Sequence, residues 1–233
     1  MKTKAIVINS VKYQDKALIV KCLTFSDGLK SYFVRDAFSS SKKNSKKSAY
    51  FQPFTMLEIE ANHRNKNSLD YFINVKPLVY ASIPSDIIKS SFALFLSEVL
   101  SAVLKDEGKN EDLFLFLETV LLWLDENPVN MNFHLVFLLE TAKFLGFYPS
   151  ASEGCFFDMS EGVFTNSESK NCISEQESLL FRQLLKQKIN ASNNPFSNTQ
   201  RKLLLEIVLD YYSRHIENFK RPKSLEVLKE VFT

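Results

Sequence analysis

The stretch K-A-L-I-V-K-C-L-T-F-S-D-G-L-K-S-Y-F-V-R-D, residues 16–36, decides how the first third of the chain folds. Residues 16–25 and 29–36 are rich in β-branched and aromatic side chains, the composition of strands. Ser26-Asp27-Gly28 between them is a turn, because glycine adopts positive φ without steric cost. The two runs therefore pair antiparallel. Upstream, K-A-I-V-I-N-S-V-K-Y (4–13) is a strand that leads into a Gln14-Asp15 turn. Downstream, F-T-M-L-E-I-E-A (54–61) and L-D-Y-F-I-N-V-K-P-L (69–78) complete a set of five. Five strands joined mostly by short turns are most economically a closed or partly closed barrel, since closure removes exposed edges.

From residue 84 the apolar period becomes helical. Ser85 and Asp86 can satisfy the first amides of a helix over 86–106, where Phe92, Leu96, Val99, Leu100 and Val103 form one apolar stripe. Further helices are expected at 110–126, 131–145, 175–189, 198–219 and 223–232. Gly146 is a left-handed C-terminal cap, and Ser174-x-x-Glu177 and Ser197-x-x-Gln200 are capping boxes. Residues 147–173 carry no period and are expected to be an irregular loop. The fold class is then α+β multidomain. A five-stranded barrel of OB-fold type spans 1–80, and an all-α helical domain spans 81–233.

Composition narrows the function. The 233 residues are 45% hydrophobic and carry a net charge of +2. Residues 1–80 hold 14 Lys/Arg against 6 Asp/Glu, net +8; residues 81–233 hold 15 against 21, net −6. A basic first third joined to an acidic remainder suggests two domains with different tasks. The most apolar window, 113–124, is too short for a bilayer span of about 20 residues, and the N-terminus lacks a signal-peptide pattern. Three cysteines, Cys22, Cys155 and Cys172, suit a reducing, cytoplasmic compartment. The three histidines have no metal-binding or catalytic spacing, and no glycine-rich phosphate loop exists, so no catalytic residue is expected. C-F-F-D (155–158) and C-I-S-E (172–175) are not a zinc site, which favours thiolate and imidazole ligands. No metal or other cofactor is expected, and Cys22 is a core residue.

The basic cluster is the positive signal. Lys16, Lys21, Lys30 and Arg35 lie on the strands before S-S-S-K-K-N-S-K-K-S (39–48), which adds Lys42, Lys43, Lys46 and Lys47. Phe25, Tyr32, Phe33, Phe38 and Tyr50 stand nearby. Faces that bind single strands combine a cationic track with stacking rings. These eight cations are the DNA-binding candidates. The alternative is a protein-interaction scaffold whose basic barrel docks an acidic partner.

The order of motifs carries a resemblance. T-F-S-D-G-L-K-S-Y-F-V-R-D-A (24–37), the basic loop and F-Q-P-F-T-M-L-E-I-E (51–60) are followed by L-S-E-V-L (96–100) and F-H-L-V-F-L-L-E-T-A-K-F-L-G-F-Y-P (133–149). Y-S-R-H-I (212–216) and K-S-L-E-V-L (223–228) close the series. Over essentially the whole chain this resembles the RecO family of recombination mediators. The resemblance implies non-specific binding of single- and double-stranded DNA, strand annealing, RecA loading together with RecR, and contact with the acidic tail of single-stranded DNA-binding protein. That work belongs in the cytoplasm, at the nucleoid. Where the family has V-R-G-A-R this chain has V-R-D-A-F, so Arg35 matches and Asp36 and Phe38 do not. The lysine loop is then expected to supply the missing charge. Many members carry a four-cysteine zinc site after the G-F-x-P segment, of which only Cys155 and Cys172 have counterparts here. Charge alone nominates Arg201, Lys202 and Arg214 for the acidic tail.

Overall fold

A computed structural model describes residues 1–35, 37–38, 47–62, 69–78, 80–104 and 108–231. The chain divides into two compact units, Met1–Asn127 with Pro222–Ser224, and Pro128–Arg221 with Leu225–Thr233.

In the first unit, β1 (Lys2–Tyr13), β2 (Ala17–Thr24), β3 (Gly28–Val34), β4 (Met56–Asn62) and β5 (Tyr71–Pro77) form one antiparallel sheet in the order β3-β2-β1-β4-β5. The 16–36 hairpin is there, with Leu18 opposite Val34 and Thr24 opposite Gly28. The sheet ends meet at one place. Asp70 bridges Tyr32 in the parallel sense, Phe33 N–H donates to the Asp70 carbonyl, and Asp70 N–H donates to the Ser31 carbonyl, each at 2.9 Å. This is the five-stranded OB arrangement, although the ladder does not close continuously. Ala5, Val7, Val20, Cys22, Tyr32, Leu57 and Ile59 fill its interior. Burial pushes the Cys22 thiol far above its ordinary pKa, so it behaves as a small apolar group.

One irregularity matters later. Ala61 pairs with Phe72 and Glu60 with Asn74, which leaves Ile73 as an extra residue in β5. Such a bulge breaks the two-residue alternation. Phe72 and Val75 both pack on the core, while Tyr71, Ile73 and Asn74 are exposed.

β1 is buried on both sides from Ala5 to Ile8, because α1 (Ile87–Val103) packs against it. Asp86 caps α1 by accepting from the amides of Ile88 (2.8 Å) and Lys89 (3.0 Å). The expected stripe of Phe92, Leu96, Val99, Leu100 and Val103 is buried. From α2 (Glu111–Glu126), Asp125 accepts the amides of Ala81, Ser82 and Ile83 at 2.8, 2.8 and 2.9 Å, which fastens the segment between β5 and α1. Burial alone would raise the pKa of this carboxyl; the three amides and the Ser82 hydroxyl outweigh it and hold it below the ordinary range. Glu98 of α1 takes both the amide (3.0 Å) and the hydroxyl (2.9 Å) of Ser224, so a residue from near the chain's end completes this unit.

The second unit holds α3 (Phe133–Phe144), β6 (Phe156–Asp158), β7 (Val163–Thr165), α4 (Glu175–Leu185), α5 (Asn198–His215) and α6 (Leu225–Val231). α3 is buried almost all round, as its sequence F-H-L-V-F-L-L-E-T-A-K-F requires. It ends at Gly146 (φ 82°), where Gly146 N–H donates to the Lys143 carbonyl and Phe147 N–H to that of Ala142, the Schellman pattern. Both capping boxes form. α5 is shorter than the expected 198–219 because the chain leaves the helix at Ile216 and Asn218 takes a left-handed φ of 56°. The expectation of an irregular 147–173 needs correction. β6 and β7 form a small hairpin, in which Phe157 is buried and the Asp158 carboxylate takes the amides of Ser160 and Glu161 at 2.8 and 3.0 Å. Among the described residues no helix is long and apolar enough to cross a membrane.

Candidate nucleic-acid interface

A groove of about 380 Å³ opens where β3 and β5 diverge beyond the Asp70 bridge. Phe33, Tyr50, Phe51, Tyr71 and Phe72 line it, with Arg35 at the end of β3 and no carboxylate among the described residues of its walls. The rings form two touching groups. Phe51 and Phe72 stack at 5.7 Å, and Phe33 lies edge-on to both Tyr71 (5.9 Å) and Tyr13 (5.8 Å). The Arg35 guanidinium sits 5.6 Å from the Tyr71 ring centroid, near enough for attraction to the ring's negative face. Close by, the Lys12 ammonium lies 5.8 Å from the centroid of the exposed Phe38 ring. A second groove, about 580 Å³, between the entry to β4 and α1 has no charged side chain in its lining. Of these two grooves, the first is the one whose described lining joins charge to stacking surface.

The structure separates the eight expected cations. Arg35 lines the groove. Lys16 is exposed, and its carbonyl accepts the Ala37 amide (2.8 Å), which brings the end of β3 beside the β1–β2 turn. Lys30 is half-buried opposite Cys22. Lys21 is engaged elsewhere: its ammonium donates to the Leu104 carbonyl (3.1 Å) at the C-terminal cap of α1, where a cation offsets the helix dipole. Lys42, Lys43 and Lys46 lie outside the described residues, and Lys47 begins a short 3₁₀ turn, Lys47–Phe51. Among the expected rings, Phe33 and Tyr50 line the groove, Tyr32 is core, and Phe25 packs on Phe114. Tyr71, Ile73 and Lys12 were not anticipated. Their signal was the run Tyr71-Phe72-Ile73, three apolar residues in a strand that should alternate.

Arg201, Lys202 and Arg214 do not converge. Arg201 is buried, and its guanidinium donates to the Phe196 carbonyl and to Asn198 Oδ1. Arg214 is exposed and reaches Ser160 Oγ at 3.3 Å, three and a half turns further along α5, about 20 Å away along its axis. Lys202 is half-buried.

Near the hairpin, Cys155 is exposed, and Cys172 Sγ lies 3.4 Å from Ser169 Oγ. Among the described residues no group of three His, Cys, Asp or Glu side chains could hold a metal ion. A different cross-link is present. Arg182 of α4 donates to the carbonyls of Ser152 (3.0 Å) and Gly154, and its guanidinium lies 3.7 Å from the Phe164 ring centroid. Gly154 lets its own backbone lie against β7, since a Cβ there would stand 2.3 Å from the Thr165 amide nitrogen.

Comparison with known proteins agrees with this architecture. The family described as Recombination protein O N terminal matches residues 1–80, and Recombination protein O C terminal matches residues 84–226. The DNA repair protein RecO of Flavobacterium psychrophilum is 54% identical over 237 residues, spanning 100% of this chain and 99% of that protein. That of Flavobacterium johnsoniae is 52% identical, over 100% and 99%. A more distant relative, DNA repair protein RecO of Bacteroides fragilis, is 36% identical, over 99% and 98%.

Proposed function

Since the chain belongs to the RecO family of DNA repair proteins, we propose that it is a non-enzymatic recombination mediator whose barrel holds DNA without reading sequence. The observation that carries this is the β3–β5 groove, which joins Arg35 to a set of rings and, among the described residues, has no carboxylate in its lining. A groove of that make-up suits a polyanion with planar groups. Lys12 and Lys16 add positive charge beside the end of β3, and in this reading Lys42, Lys43, Lys46 and Lys47 supply further phosphate contacts, each of which releases counterions.

Annealing follows when two strands are neutralised side by side on one basic surface. RecR, RecA loading and the acidic tail of single-stranded DNA-binding protein belong to the same reading, which places the protein in the cytoplasm at the nucleoid. The tail contact then falls to exposed cations such as Arg214, because Arg201 is committed inside its own unit.

The test is a salt titration of binding to a single strand. If Lys42, Lys43, Lys46 and Lys47 each meet one phosphate, changing all four to Ala reduces the slope of log K against log salt by about 3. An unchanged slope removes the loop from the interface. Wild-type protein that shows no affinity for DNA at low salt, but binds an acidic protein, leaves the docking scaffold as the function.

A further inference from the structure

We propose that the β3–β5 groove is a single-strand stacking site in which Tyr71 and Ile73 distinguish single-stranded from duplex DNA, duplex being held through phosphates alone. This rests on the DNA-binding reading above and adds the form of DNA that this groove accepts.

Tyr71 and Ile73 are unusual for strand residues. They keep 45% and 60% of their surfaces exposed, on either side of the core residue Phe72. The bulge at Ile73 turns them outward, and bulges commonly re-aim side chains beside functional sites. The Tyr71 ring is held before any ligand arrives, by the Phe33 edge at 5.9 Å and by Arg35 at 5.6 Å. A ring fixed in advance loses little freedom when a base stacks on it. Arg35 at the same ring stands ready for the phosphate of the nucleotide whose base lies on Tyr71. Among the described residues, β5 pairs as a strand with β4, and on its other side Asp70 makes the single bridge to Tyr32.

Stacking needs a free base face. In a duplex both faces of each base are covered by its neighbours, whereas a single strand offers them at little cost. The phosphate track has no such preference, because both forms of DNA present a charged backbone. The two surfaces are therefore separable by substitution.

The experiment compares wild type, Tyr71→Ala, Tyr71→Phe and Ile73→Ala on an oligo-dT single strand, an abasic strand of equal length, and a duplex. Tyr71→Ala should weaken oligo-dT binding about tenfold. Ile73→Ala should weaken it in the same direction. Affinity for the duplex and the abasic strand, and the salt slope, should stay at wild-type values. Tyr71→Phe keeps the ring and should bind as wild type, and circular dichroism of each variant checks the fold. Equal losses on oligo-dT and duplex, or no loss on either, overturn the proposal. Wild-type protein that binds none of the three DNAs instead overturns the DNA-binding reading beneath it.

Discussion

His134, the second residue of α3, has no exposed surface. Burial first, and the nearby Arg201 charge second, lower its pKa to about 3. In the unfolded chain a histidine takes up a proton below about pH 6.5. Between these values the unfolded state binds the proton and the folded state does not. Stability contributed by neutral His134 is therefore complete above pH 6.5 and declines as pH falls toward 3, by at most about 1.4 kcal/mol per pH unit. Urea midpoints at pH 7 and pH 4.5 test this: His134→Phe should lose less stability between the two than wild type does. Arg201 marks the limit of reading single residues from sequence. Its charge suggested a surface role, yet the fold uses its guanidinium to join Phe196 and Asn198 at the start of α5. Arg35 was legible because a strand end with rings around it leaves a charged head few places to go but solvent.

Elements were more legible than residues, for a physical reason. Strand composition, turn chemistry and capping boxes act within a few positions, so all five barrel strands and all six helices were visible in the sequence. Two C-terminal ends were not: α1 runs to Val103 and α5 to His215, short of the expected 106 and 219, with no glycine or proline in the sequence to mark either stop. The Ile73 bulge was missed because it is set by register against β4, and the β6–β7 hairpin because its strands, three residues each, are too short to show a two-residue alternation. The hairpin yields a prediction of its own. Arg182 joins two carbonyls and a ring, so Arg182→Ala should destabilise the chain by about 2–3 kcal/mol, read as a lower melting temperature. Arg182→Lys should recover only part of that, since an ammonium lacks the planar fork. A zinc chelator should leave the wild-type melting temperature where it was.

On the scale of the molecule, charge and packing divide the chain differently. The change from net basic to net acidic was counted at residue 80, whereas packing keeps α1 and α2 with the sheet through Asp125 and through Lys4, whose ammonium meets Glu118 at 2.7 Å. Two compact units predict two thermal transitions. Phe137→Ala removes a fully buried ring of the second unit at a cost of about 3–5 kcal/mol, and in calorimetry it should lower one transition while leaving the other in place. The Ser224–Glu98 contact has a consequence for the order of synthesis. A ribosome making this chain releases the barrel and α1 early, but Glu98 waits for its partner until Ser224, 126 residues further on, has been added. The unit that emerges first is therefore completed by a residue translated long after it, and a message cut before Ser224 would remove a contact from the part of the protein encoded well upstream.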